Sequence, residues 1–137
     1  MTKKETSEKI GRLIDANLNR LKEGIRVIED INRYIYDDGA LSSTLKQLRH
    51  KLQPAYDQNR LRYRDIENDV LKESISSELS RTSINDLMIA NFSRAQESAR
   101  VLEESFKLIE PSLSELFKEV RYGLYAVEKA FFLKKED

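Results

Sequence analysis

The chain writes one stretch twice. "ANLNRLKEGIRVIED", Ala16 to Asp30, returns as "ANFSRAQESARVLEE", Ala90 to Glu104. The copies keep Asn17/Asn91, Arg20/Arg94, Glu23/Glu97, Arg26/Arg100 and Glu29/Glu103, while Leu21 becomes Ala95, Ile25 becomes Ala99 and, just beyond, Asn32 becomes Phe106. With a two-residue gap at the turn the match continues, because "LSSTLKQLRHKL" (Leu41 to Leu52) lies over "LSELFKEVRYGL" (Leu113 to Leu124). A doubled unit of this kind can bury its apolar stripes only against its own copy. The duplication therefore predicts an all-α protein, an antiparallel four-helix bundle built from two helical hairpins.

Periodicity supplies the helices. Thr2 with Glu5 forms the pattern of a capping box, and Leu18, Leu21, Ile25, Ile28 and Ile35 then recur at helical spacing to Tyr36, where "DDG" interrupts. A second helix is expected from about Leu41 to about Asp57, with Pro54 as a kink or an early end. Ser83 with Asp86 opens a third through Phe92, Leu102, Phe106 and Ile109 to Pro111. Ser112 with Glu115 opens a fourth through Leu116, Val120, Leu124 and Val127 to Phe131, Phe132 and Leu133. The single domain divides into hairpin 1 at about 3–58, a connecting segment at about 59–81 and hairpin 2 at about 82–135.

Composition agrees with helices: 35% of residues are charged, and the 137 residues include only four Gly and two Pro. The formal net charge is zero, which gives no basic footprint for nucleic acid. Cysteine is absent, which excludes disulfides, thiolate metal sites and a Cys nucleophile. "MTKKETSEK" has no apolar stretch of a signal peptide and no run is long enough for a membrane span, so a cytoplasmic protein is expected.

The retained polar letters pose the functional question. Apolar positions can trade volume across an interface, large against small, but volume does not explain why polar identity is kept. One reading is structural: Arg20 with Glu23, Glu23 with Arg26 and Arg26 with Asp30 make helix-surface ion pairs. The other is a polar cleft in which Arg20 and Arg94, joined by Arg49 and Arg121, hold a phosphorylated ligand, with Asn17, Asn91 and the glutamates orienting them. The segment "NRLRYRDIENDVLKESISSELSR" (Asn59 to Arg81) has no counterpart in the repeat and mixes Arg62, Arg64 and Arg81 with Asp65, Glu67 and Asp69. Asp65 and Asp69 are spaced to reach a common Mg²⁺ if the segment folds inward, or are simply solvated. His50, the only histidine, is a candidate acid or base, or a structural residue. Tyr122, Tyr125, Phe131 and Phe132 are expected in the core or in a homodimer contact. No GxxxxGK[ST] or GxGxxG phosphate loop occurs.

Taken in order, "RLIDANLNRLKEGIRVIED", "LKQLRHKL", "RDIENDV" and "ANFSRAQESARVLEE" resemble the helical domain found fused in front of thiamine-phosphate synthase (thiamine-phosphate pyrophosphorylase). The resemblance runs from about Arg12 to about Ile109. It implies a hydroxymethylpyrimidine-phosphate kinase of thiamine biosynthesis, which adds a second phosphate from ATP with Mg²⁺. On that basis Arg20, Arg49, Arg64, Arg81, Arg94 and Arg121, with Asn17 and Asn91, are assigned to phosphate and substrate. Asp65 and Asp69 are assigned to Mg²⁺, and Glu23, Glu97 and His50 to the attacking hydroxyl. The (β/α)₈ barrel of a synthase, which needs ~200 residues, is not written in this chain. The alternative implied is a non-catalytic module that binds a thiamine intermediate or docks to a separate synthase. Where the resembling domains usually read Asp-Val-Gly, this chain has Asp69, Val70 and Leu71.

Overall fold

The computed structural model describes residues 1–74 and 80–134, and the described residues form helices, turns and irregular segments without a strand. Helix α1 spans Lys3–Asp30, α2 Gly39–His50, α3 Ile84–Phe106 and α4 Pro111–Lys134. Packing runs round the bundle from α2 to α1, α1 to α3, α3 to α4 and α4 back to α2.

Thr2 caps α1 as expected, its Oγ1 accepting the Glu5 N–H at 3.1 Å. Ile14, Leu18, Leu21, Ile25 and Ile28 follow at steps of three and four and are all buried. The stripe then changes register. Residues Ile31–Ile35 form a π-helical turn, in which the Tyr36 N–H reaches back to the Ile31 carbonyl at 3.2 Å. The wider turn buries Ile31 and Asn32 and leaves Ile35, expected in the core, about half exposed at 52%. Asp37 ends it in the left-handed region at φ 50°.

Helix α2 starts earlier and stops sooner than the spacing suggests. Asp38 caps it, accepting the Leu41 N–H at 2.9 Å, and after His50 the chain passes into a 3₁₀ turn, Gln53–Ala55, that contains Pro54. Proline disfavours α backbone before it and has no N–H to extend the ladder. Helix α3 opens on Ser83, whose Oγ accepts the Asp86 N–H at 3.0 Å. It ends at Phe106 rather than running on to Pro111, which leaves Ile109 exposed. Helix α4 then begins at Pro111 itself, one residue before the expected Ser112 cap, because a first-turn proline gives up no hydrogen bond.

The traded apolar letters meet at the α1–α3 crossing. A Cβ on Gly24 would lie 3.3 Å from the Ala95 Cβ, so the backbones approach closely there, and bulky Leu21 and Ile25 on α1 are balanced by Ala95 and Ala99 on α3. Tyr122 and Tyr125, expected in the core or a dimer contact, are exposed on α4 and stack edge to face with centroids 5.7 Å apart.

Most of the retained polar letters hold the fold together. Arg49 makes a two-pronged contact with Glu29, Nε to Oε1 at 2.9 Å and Nη2 to Oε2 at 3.2 Å. Arg121 does the same to Glu103 at 2.9 and 3.3 Å. Both glutamates are buried, so each needs such a partner. Arg26 and Arg100 reinforce them from the preceding turn, at 3.6 Å from Glu29 and 3.4 Å from Glu103. The Asn17 and Asn91 side-chain amides donate to the Leu13 and Leu87 carbonyls at 2.9 and 2.8 Å.

Burial raises the pKa of the Glu103 carboxyl, but its hydrogen bond to Arg121 and the nearby charges outweigh that and leave it below its ordinary value of 4.5. A carboxylate depressed in the folded state stabilises above its unfolded pKa and loses that contribution as pH falls. Urea unfolding is therefore expected to show a flat stability above pH 5 and a decline below about 4.5, with Glu103→Gln reducing the slope.

Candidate functional site

The connecting segment, described up to residue 74, packs chiefly on α1. A 3₁₀ helix, Gln58–Tyr63, begins after Asp57, whose Oδ1 accepts the Asn59 N–H at 2.9 Å. The Tyr63 ring covers Gly11 so closely that a Cβ there would sit 2.7 Å from it. Arg60 donates to the Ala55 carbonyl, and its guanidinium lies 5.4 Å from the centroid of Phe106. Arg64 then clamps Asp15 through two hydrogen bonds of 2.7 Å.

Between α1 and the chain that follows Arg64 lies an open cleft of about 730 Å³. Arg20, Asn17, Arg64, Asp65 and Asp69 line it, five of the residues singled out in the sequence. Lys9, Arg12 and Lys72 add positive charge. Asp65 is held in place by its own segment: Oδ1 accepts the Glu67 and Asn68 N–H groups at 3.1 and 2.9 Å, and Oδ2 accepts the Asn68 amide at 2.9 Å. These bonds, the Asn68 side chain first, lower its pKa and keep it ionised. Asp69 accepts the Leu71 N–H at 3.0 Å. Leu71 is exposed, and Asp37 is the one non-glycine residue with positive φ among the described residues, so leucine fits here without backbone strain.

The other singled-out residues lie elsewhere. Arg49 and Arg121 are engaged with the buried carboxylates of Glu29 and Glu103 and do not line the cleft. Asn91, Arg94 and Glu97 are on α3 and do not line this cleft. Arg81 donates to the Ser80 carbonyl. Glu23 is exposed on α1, close enough to raise the Tyr56 pKa, although burial of the phenol is the larger cause. His50 borders a separate hollow of about 300 Å³ with Lys22, Arg49, Gln53 and Tyr56. No group of three or more His, Cys, Asp or Glu able to hold a metal occurs among the described residues.

Lys9, Arg12, Asp15 and Lys72 line the cleft from outside the repeated stretch, and Asn19 lines it from a position the copy fills with Ser93. Lys9, Arg12, Ala16, Asn19 and Arg20 form a helical strip beside the apolar one, and that spacing was the available signal. Gly11→Ala tests what holds the cleft. Its Cβ should push Tyr63 away and speed amide exchange across 58–64 about tenfold, while helical circular dichroism stays unchanged.

A family model described as the ThiD2 family matches residues 12–130. This chain belongs to the ThiD2 family. The matched span contains the repeat and the whole cleft apart from Lys9. Among curated proteins, this ThiD2-family chain is similar to the thiamine-phosphate synthase of Synechocystis sp., 38% identical over 92% of the chain and 37% of the relative. It is also similar to that of Thermosynechococcus vestitus, 39% identical over 92% of the chain and 36% of the relative. The chain thus spans little more than a third of the curated relatives it matches. No solved structure matches it. No described helix is long and apolar enough to cross a membrane.

Proposed function

We propose that this chain acts in thiamine biosynthesis and that its α1 cleft phosphorylates hydroxymethylpyrimidine phosphate to the diphosphate at the expense of ATP. The observation that carries the proposal is the convergence of Arg20, Arg64, Asp65 and Asp69 on one cleft. Family membership and relatives called thiamine-phosphate synthase support the pathway. Phosphoryl transfer asks mainly for positioning and neutralised charge, which Lys9, Arg12, Arg20 and Lys72 would supply to the substrate and nucleotide phosphates.

Asp65 and Asp69 suit Mg²⁺, a hard cation that takes one or two carboxylates and completes its shell with phosphate oxygens and water. They would hold it at the edge of the cleft, where it would neutralise ATP phosphates. Arg64, fixed by Asp15, keeps its guanidinium in one orientation beside them.

A second reading, a non-catalytic module that binds a thiamine intermediate or docks to a separate synthase, is favoured by one observation: Glu23, Glu97 and His50 do not line the cleft. ADP release separates the two. Purified protein with Mg²⁺, ATP and hydroxymethylpyrimidine phosphate should release ADP only when the pyrimidine is present. Thermal protection by the pyrimidine without ADP release would establish the module instead.

A further inference from the structure

Next to the large cleft is a second hollow of about 270 Å³, and the two share Asp15, Asn19 and Arg64 as lining. Their chemistry differs. The large end carries lysine, arginine and aspartate beside Leu13 and Ile66, whereas the small hollow, which Asp57 and Arg60 also border, gathers Leu18 of α1 with Tyr56 and Leu61 of the chain after α2. Tyr56 and Leu61 do not belong to the core: they are 39% and 53% exposed. Around them Asn19 and Gln58 offer amide donors and acceptors.

This arrangement puts a charged pocket beside a small hollow with an apolar wall, and the fixed Asp15–Arg64 pair lines both. A ligand fitting both has an anionic group at one end and a flat ring at the other. We infer that the hollow at Leu18, Tyr56 and Leu61 is the ring subsite of the cleft, receiving a phosphorylated heteroaromatic compound whose phosphate faces Arg20. This rests on the reading above that the cleft binds such a phosphate. It adds Tyr56 and Leu61 as residues that select the ring, and a volume near the lower limit of ligand pockets favours one ring over a nucleoside. Stacking of a ring on an aromatic side chain, together with apolar contact from leucine, would supply the discrimination.

The test is equilibrium binding to the full chain, measured by calorimetry, of three probes: hydroxymethylpyrimidine phosphate, the unphosphorylated hydroxymethylpyrimidine and inorganic phosphate. Tyr56→Ala should weaken both pyrimidines about tenfold and leave inorganic phosphate unchanged, as expected for one lost stacking contact. Tyr56→Phe should retain wild-type binding, and Leu61→Ala should repeat the selective loss with an independent, half-exposed residue. Arg20→Leu should give the complementary pattern, weakening both phosphate-bearing probes but not the pyrimidine alcohol. If Arg20→Leu weakens the pyrimidine phosphate while Tyr56→Ala and Leu61→Ala do not, the ring subsite is wrong and the phosphate cleft stands. If the wild-type chain binds none of the three probes, the cleft reading and the ring subsite fail together.

Discussion

Glu29→Ala should lower the thermal midpoint by about 10 °C, corresponding to a loss of about 3 kcal/mol, although it removes no apolar contact from the core. The Arg49 side chain is 19% exposed and its guanidinium is directed at a carboxylate that is 3% exposed, so truncating Glu29 leaves a poorly hydrated cation with its best partner gone. Arg26, on the same side of α1 and 51% exposed, contributes much less, since exposed pairs are worth ~0.2–1 kcal/mol. The cost should fall on the fold and not on the cleft. The paired change Glu29→Met with Arg49→Leu is expected to recover most of the loss, because replacing a buried ion pair by packed apolar groups is often neutral or stabilising. Differential scanning calorimetry of Glu29→Ala and of the double variant decides it: a midpoint within 2 °C of wild type for Glu29→Ala would show that the pair is energetically idle.

Arg20→Leu and Arg94→Leu are repeat-equivalent changes with opposite expected outcomes. Arg20 lines the cleft beneath the connecting segment, whereas Arg94 is exposed on α3 away from it. Losing a charge-assisted hydrogen bond to phosphate is worth ~1.5–3 kcal/mol, so Arg20→Leu should lower kcat/KM for substrate-dependent ADP release about ten- to hundredfold. Arg94→Leu should change it less than about twofold, the margin for a surface change of about 0.5 kcal/mol or less. Both positions are exposed, so both variants should keep wild-type helicity. Equal losses in the two would mean that the site spans both hairpins, contrary to the arrangement seen.

This pair of variants also shows why identical letters do not imply identical roles. The two halves carry the same polar set, and folding divides it. Asn17, Arg26, Glu29 and Arg49 make the same amide and ion-pair contacts as Asn91, Arg100, Glu103 and Arg121, so identity there reflects repeated structure. Arg20 gained a different environment because the segment after α2 docks on α1. The docking contacts are unmatched between the halves. Gly11 accepts the Tyr63 ring and Asp15 accepts Arg64, while α3 begins only at Ile84 and has Ile89 at the position that aligns with Asp15.

Local sequence determined the helices, two of their caps and the apolar stripes. These depend on side chains within four residues of one another, as with Thr2 and Glu5 or Ser83 and Asp86, and their interaction energy does not depend on the rest of the chain. The register change at Ile31–Ile35 was not legible, because a π turn is locally disfavoured and accompanies the burial of Ile31 and Asn32, which only the packed bundle provides. Only the tertiary structure decided the order of helices around the bundle, the capture of Arg49 and Arg121 by buried glutamates, and the placing of Asp65 and Asp69 beside Arg20. Each of these brings together residues on different elements, whose relative positions are set by how those elements pack and not by neighbours in the chain.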